Sequence, residues 1–403
     1  MMDFALLGTG HETVPLIRGL TRDPQHRLVA FVADDALSAK ILAVAPAARR
    51  LAQHAEALNL RGLGGIIIDS SDPEALEVAR QLAGNSVAIL LRPSAAHGIE
   101  FIYQLGLIRD EQPDLFRLYP IRPWRLHPLV LRLREVLQNN ALGRIHQLQW
   151  QRELSVAGSP SQQPLLTRSE IDEALLGDAD LLKFLAGEFD QVTALQTGDA
   201  DSGIVQASVS LAGPEAAPAQ WTCRGTHGPS TWRLQVTGDV GTIDLNGGAD
   251  SGCLHWQSSS VSAPETVDFD YGPPLLQEFL AGTATTAATS QWANDLNRIF
   301  DLLEGTHRSL RRKRTVELYF DTPSERSNFK TQMTAVGCGV LLLTLFAMLL
   351  GLGAGIVTKE LNLPPIIMHV VRVLVFAPLF LFLLLQLGVF LSKPSAGLTS
   401  RVK

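Results

Sequence analysis

Phe4-Ala5-Leu6-Leu7-Gly8-Thr9-Gly10-His11-Glu12-Thr13 is the stretch on which the fold turns. Its four opening apolar residues read as a short buried strand. They run into two glycines and then into a helical pattern from Val14, with Leu16, Ile17 and Leu20 on one face. Strand, glycine turn and helix form the setting in which a dinucleotide pyrophosphate rests on a helix N-terminus. Gly8 permits the tight turn, and Gly10 lets backbone approach the phosphates; Thr9 and His11 belong to the same turn. Thr13 stands where the G-x-G-x-x-G pattern has its third glycine, so a Cβ and a hydroxyl crowd the helix–strand contact. Two glycines in a turn also arise for purely structural reasons, and the flanking segments have to decide between the two readings.

Working outward, residues 28–33 form a second buried strand that ends at Asp34-Asp35. Asp34 lies some two dozen residues after Gly10, near the spacing of the acid that holds the adenosine ribose hydroxyls. A carboxylate at Asp34, with Asp35 beside it, repels a 2′-phosphate, which favours NAD over NADP. The alternative is a solvated acid at a strand end. A third strand covers 65–69. Asp72-Pro73 then opens a helix to residue 82, with the acid as N-cap and proline at the first helical position. A fourth strand, 87–91, ends at Arg92-Pro93. Strand alternating with helix predicts a parallel, doubly wound α/β domain over 1–118.

Beyond residue 118 the texture changes. A helix at 128–139 is followed by period-2 segments at 145–150, 204–211, 232–237, 242–245 and 316–320. They predict a second, α+β domain over 119–322, with a mostly antiparallel sheet open on one face. The helix 171–186 lies between the two domains.

The remainder of the chain is oily. Of 403 residues, 46% are hydrophobic and 18% charged, and the mean hydropathy is +0.13. This excludes disorder as the main state. A net charge of −6 argues against nucleic acid as a partner, since phosphate binding needs a basic surface. Cys223, Cys253 and Cys338 form no C-x-x-C, which rules out a disulfide framework and a cysteine zinc site. The apolar excess sits at the C-terminus. Residues 333–357 hold no Asp, Glu, Lys or Arg, and a helix of that length rises ~37 Å, enough to cross a ~30 Å hydrocarbon layer. A second run, 366–391, is interrupted only by His369, Arg372 and Gln386 among polar side chains with long or ionisable heads. Two transmembrane helices, joined by 358–365 and preceded by a linker at 323–332, make a hairpin over 333–392; two buried core helices are the alternative. Arg326, Lys330, Lys393, Arg401 and Lys403 flank it, against Lys359 alone in the joining segment. The positive-inside tendency places both termini, the tail 393–403 and the N-terminal part in the cytoplasm. The first residues, Met1-Met2-Asp3, carry no basic leader region.

Several motifs together resemble the Gfo/Idh/MocA family of dinucleotide-dependent oxidoreductases over roughly residues 3–320. They are the Gly8/Gly10 turn, the Asp34 strand end, Arg92-Pro93, Tyr119-Pro120-Ile121-Arg122-Pro123 and Leu126-His127-Pro128. Further on come Asn140-Ala141-Leu142-Gly143-Arg144-Ile145, Asp180-Leu181-Leu182-Lys183-Phe184-Leu185-Ala186-Gly187, Gly238-Asp239-Val240-Gly241-Thr242-Ile243, and a helix plus strand over 292–318. The resemblance implies a Rossmann domain and an open-sheet domain that hold NAD and a sugar or polyol at their interface. It also implies pairing into a homo-oligomer through the open sheets. A membrane hairpin is not part of that family pattern.

Where the chain departs from the pattern, the chemistry changes. Arg92 occupies the place of the family's lysine. Arginine stays charged, so it polarises an oxygen but does not shuttle a proton. Leu91 replaces the family's glutamate, and the family's Asp-x-x-x-His pair maps to Glu173 and Gly177, with no histidine between His146 and His227. Candidate substitutes are His97, which faces either the cleft or the helix surface, and Asp180 with Lys183. The last two share a helical face at i, i+3, either as cleft groups or as a surface ion pair. His127, beside Pro128, reads as structural. Arg311-Arg312-Lys313-Arg314 either caps the preceding helix, is solvated, or meets anionic headgroups. Two functions fit this pattern. One is a degenerate, membrane-anchored member of the family that binds NAD without turnover, as a ligand-binding or regulatory module. The other is an active NAD-dependent oxidoreductase on a sugar or polyol with relocated acid/base groups. A third possibility is a hairpin protein whose soluble part is mainly structural.

Overall fold

The computed structural model describes residues 2–318 apart from 9, 11–12, 159–160, 162, 200–202, 249–251, 260–262 and 284–285, together with Phe346. The six strands of the first sheet are β1 (Met2–Gly8), β2 (His26–Val32), β3 (Arg49–Arg50), β4 (Leu63–Asp69), β5 (Ala88–Leu91) and β6 (Leu118–Pro120). Every neighbouring pair is parallel, in the order β3-β2-β1-β4-β5-β6. The order reverses between β1 and β4, and the loop after β1 opens at that switch point, where open α/β sheets bind ligands. Phe4 to Leu7 and Ile66 to Ile68 are fully buried, as expected of central parallel strands covered on both faces. Helices α1 (Val14–Arg22), α2 (Asp35–Val44), α3 (Pro73–Ala83) and α4 (Gly98–Glu111) make the crossovers. Asp72 caps α3 by accepting from Glu74 N at 2.8 Å, with Pro73 in the first turn.

Helix α5 (Pro128–Gln138) leads into the second sheet. Its strands are β7 (Ile145–Ser155), β8 (Gln191–Asp199), β9 (Gly203–Ala212), β10 (Ala219–Thr226), β11 (Thr231–Gly238), β12 (Thr242–Gly248), β13 (Cys253–Ser258), β14 (Glu265–Asp268) and β15 (Val316–Glu317). The order is β14-β13-β12-β11-β7-β10-β9-β8-β15. All pairs are antiparallel except β7 with β10, so the sheet is mixed. Helix α6 (Arg168–Ala186) packs against β7, β9 and β10. It starts in a capping box, in which Glu170 N donates to Thr167 Oγ1 and Thr167 N donates to Glu170. Gly187, at φ +105°, ends it. One face of the sheet carries Trp150, Trp221, Leu234 and Ile243 into the core. The other carries Gln147, Gln149 and Gln235, half-buried among polar neighbours.

The expected boundary at 118/119 falls inside β6, so the first sheet extends past it. The first sheet also borrows cover from the far end of the chain. Helix α7 (Gly272–Thr283) returns to α1, and α8 (Thr286–Arg312) runs from α4 and β6 to β8 and β15. Phe279 stands edge-on to both Phe4, at 6.0 Å between ring centroids, and Tyr119, at 5.9 Å. Such a fully buried phenylalanine contributes about 2–3 kcal/mol by transfer alone. Residues 2–318 therefore share one compact unit. Among the described residues no helix is long and apolar enough to cross a membrane. Apart from Phe346, the expected spans, 333–357 and 366–391, lie outside the described residues.

Candidate functional site

The first part of the site is the turn after β1. Gly8 pairs in register with Asp69 at the end of β4, and a Cβ on Gly8 would collide with the Asp69 backbone. A Cβ on Gly10 would collide with the Asp69 carboxylate. Both glycines are therefore required by the close approach of one residue. Thr13, at the third glycine's position, is buried, and its Oγ1 donates to the Gly10 carbonyl at 2.8 Å. The hydroxyl that crowds the helix–strand contact thus closes the turn. Thr9 and His11 lie outside the described residues.

At the end of β2, Asp34 is exposed and caps α2, accepting from Leu37 N at 2.7 Å. Among the described residues no other hydrogen bond holds this carboxylate. Asp35 is engaged otherwise, with Arg50 Nη1 2.8 Å away. Arg50 Nη2 also donates to the Ala33 carbonyl at 3.1 Å, so this arginine lies across the strand end. Nothing in the pattern around Arg49-Arg50 announced that role.

Arg92 follows β5 and reaches into a cavity of about 660 Å³ between the first sheet and α6. Arg92, Glu173, Asp180, Trp124, Ser230 and Tyr271 are among its walls, and its size lies in the range of small-molecule sites. Arg92 Nη1 is 3.3 Å from Asp69 Oδ1 and 3.9 Å from Glu173 Oε1. Glu173 Oε2 accepts from Ser94 Oγ at 2.9 Å and Ala95 N at 2.8 Å. Arg92 thus links the glycine turn to the interdomain helix. Gly177, one helical turn beyond Glu173, also lines the cavity, and a Cβ placed there meets open space.

The structure corrects three expectations. His97 neither faces the cleft nor sits on a helix surface. It is buried, donates from Nε2 to the Ser70 carbonyl at 3.1 Å, and stands edge-on to Phe101. Burial, with the Arg92 charge nearby, pushes its pKa down to about 4. Asp180 and Lys183 do not pair with each other. Asp180 takes a bidentate contact from Arg125 Nε at 2.7 Å and Nη2 at 2.6 Å. Lys183 Nζ lies 2.8 Å from Asp295 and 3.0 Å from Glu188. Nor are the two at the surface: Asp180 is buried in the cavity wall, whereas Lys183 faces a second cavity of about 610 Å³. Lys183 is therefore no acid/base for the first cavity. Asp295 joins the groups, 3.3 Å from Arg122 and 3.4 Å from Arg125. Its burial alone would raise the carboxyl, but Lys183, Arg122 and Arg125 outweigh that and hold it below the usual range.

His97 gives a pH prediction. Unfolded, it protonates near 6.5; folded, it resists until about 4. Below pH 6.5 the unfolded chain binds the extra proton, so stability falls as pH falls toward 4, by about 1 kcal/mol per unit. His97→Asn is expected to flatten that slope in unfolding midpoints measured between pH 7 and 4; an unchanged slope places the titration elsewhere.

His127 accepts from Leu129 N at 3.2 Å and donates to the Gly252 carbonyl at 3.0 Å, as the cap of α5. Arg311 and Arg312 occupy the last turn of α8, where they complement its dipole. Asp69, Arg125 and Asp295 escaped the sequence reading. Only Asp69 carried a signal, as the acid that ends Ile66-Ile67-Ile68 at the switch point.

A six-stranded parallel sheet in this order, with a glycine turn at its switch point and an open mixed sheet beside it, defines a Rossmann-type α/β fold with an appended open-sheet layer. The chain matches no family model and no curated protein. Solved structures share the fold. A putative NADPH-dependent oxidoreductase from Desulfitobacterium hafniense is 14% identical, with a TM-score of 0.63 over 79% of this chain and 97% of that one. An oxidoreductase from Agrobacterium radiobacter, solved with NAD+, L-tartaric acid and magnesium, is 15% identical, with a TM-score of 0.62 over 79% and 98%. A putative myo-inositol dehydrogenase from Sinorhizobium meliloti is 17% identical, with a TM-score of 0.60 over 79% and 100%. At such identities the likeness is one of fold.

Proposed function

We propose that this chain binds NAD at the turn after β1 and a sugar or polyol in the cavity beside Arg92, without turning them over. A hairpin over 333–392 holds it at the cytoplasmic face of a membrane. The switch point carries the first part of the reading: the Gly8–Gly10 turn and the Asp34 carboxylate stand at the ends of adjacent strands, where a dinucleotide's diphosphate and ribose are held. Asp34 opposes a 2′-phosphate, and Arg50 is already engaged by Asp35 and Ala33, so NAD is favoured over NADP. When bound, a nicotinamide dinucleotide supplies a hydride acceptor. The chain's own share of such a reaction is to remove the hydroxyl proton of a carbinol as the hydride leaves. Around the cavity, Glu173 is tied to Ser94 and Ala95, Asp180 to Arg125, and Arg92 keeps its proton. Gly177 offers no side chain. No histidine or lysine is among the described walls of the cavity, and on this reading its residues bind and polarise.

The test uses the full-length chain in detergent, titrated with NADH while nicotinamide fluorescence is followed. Saturable binding is expected, and Asp34→Ala is expected to weaken it about 10-fold, as loss of a charged hydrogen bond does. Unchanged affinity in that variant removes the ribose assignment. Incubation with NAD+ and a panel of polyols is expected to form no NADH. Formation by the parent chain establishes instead an active oxidoreductase with relocated acid/base groups. Digestion of the N-terminal part by protease added to intact cells would refute the cytoplasmic placement.

A further inference from the structure

We propose that Asp69 restrains dinucleotide binding and that Arg92 relieves the restraint, so that this pair sets the affinity of the turn for a diphosphate. The inference rests on the reading of the switch point as a dinucleotide site. Asp69 closes β4 directly opposite Gly8. Its side chain is 3% exposed, and its carboxylate packs on Gly10, so closely that any Cβ there would strike it. Gly8 and Gly10 thus both lie against Asp69, Gly10 against its carboxylate. A diphosphate laid over the same turn brings two more negative charges to the start of α1. In a low-dielectric crevice, like charges within a few ångströms oppose one another strongly.

The guanidinium of Arg92, 3.3 Å from Asp69, offsets that opposition. It also lies 3.9 Å from Glu173, so it is shared between two carboxylates. Glu173 is fixed in place by Ser94 Oγ and Ala95 N. Arg92 itself is 30% exposed to the cavity, within reach of an anion at the turn's mouth. A turn built in this way holds dinucleotide loosely and exchanges it readily, which suits a module that reports cofactor level. Adenosine carries no phosphate and escapes the restraint.

The experiment measures the affinity of the full-length chain in detergent for NADH, ADP-ribose and adenosine. Asp69→Asn keeps the shape and removes the charge. It is expected to tighten NADH and ADP-ribose ~10-fold and to leave adenosine within about twofold. Arg92→Gln is expected to weaken both diphosphates ~10-fold in the parent and by less than about threefold beside Asp69→Asn, because its task has gone. Asp69→Ser repeats the test if the asparagine variant fails to reach the parent's thermal midpoint. Tightening in either variant, including binding that appears only in the variant, supports the proposal. Affinities indifferent to Asp69, or an equal change for adenosine, overturn it while leaving the dinucleotide site standing. Binding of no nucleotide by parent or variants at millimolar concentration overturns both.

Discussion

Asp180→Ala is expected to lower the stability of the folded part by about 3 kcal/mol. Asp180 accepts both forks of the Arg125 guanidinium, and Arg122 lies 3.6 Å away. Arg125 is 14% exposed and Asp180 12% at the side chain. Water therefore replaces the carboxylate only in part when it is removed. Breaking a buried pair from one side leaves the other charge uncompensated, at about 3–5 kcal/mol. The lower end applies here because Asp295 stays 3.4 Å from Arg125 and Phe184 lies under the guanidinium at 4.9 Å. Replacing both partners is a different matter. Asp180→Leu with Arg125→Met exchanges the pair for apolar contact and is expected to recover most of the loss. Urea unfolding of the intact chain reads this out through tryptophan fluorescence, since Trp124, Trp150, Trp221, Trp232, Trp256 and Trp292 all lie in the folded part. A loss under about 1 kcal/mol would mean that the network is hydrated and contributes little to the wall of the cavity.

This network also marks the limit of what the sequence makes legible. Regular local patterns were readable: β1, β2, β4 and β5 as apolar runs, α3 from its Asp72-Pro73 start, and α6 from its periodicity. Strands β3 and β6, of two and three residues, were not, because their identity comes from the neighbours they pair with. The same holds for the site. Arg92 and Gly177 were found by position within motifs, but the partners of Asp180 and Lys183 were mistaken. Their i, i+3 spacing predicts a local pair, whereas Arg125 and Asp295 arrive from far along the chain and outcompete it. His97 failed for a related reason. Its place near Arg92-Pro93 was legible, but its contact with the Ser70 carbonyl depends on how two strand-end loops meet. The glycines give a subtler case. The motif assigns them to a phosphate, while the structure adds a second cause, the packing of Asp69 beneath both.

On the proposed reading of the cavity as a binding site without turnover, introducing a histidine at position 177 is expected to give a slow dehydrogenase. The resemblance places the family's histidine at this point of the interdomain helix, and Gly177 faces the cavity with open space around its Cβ direction. A side chain there enters without displacing backbone. Replacing a helical glycine by histidine also relieves a few tenths of a kcal/mol of helix propensity, so the variant is expected to fold at least as well as its parent. Arg92 is already in place to polarise a substrate oxygen. Among its described walls the cavity has no imidazole, the side chain best suited to take up a hydroxyl proton near neutral pH. General base catalysis is worth about 10²–10⁴-fold; the lower end applies to a base introduced without the supports that orient it. NADH formation from NAD+ and polyols, expected to be absent in the parent, is therefore expected to appear for Gly177→His at about 100-fold over the protein-free background. Gly177→Ala separates the effect of the base from that of a firmer helix and is expected to stay at the parent's level. The rate should climb with pH through the imidazole's titration and level off above it. If Gly177→His still binds NADH but forms none from any polyol, the proposal that a missing base prevents turnover fails, and the orientation of the ligand in the cavity becomes the cause to pursue.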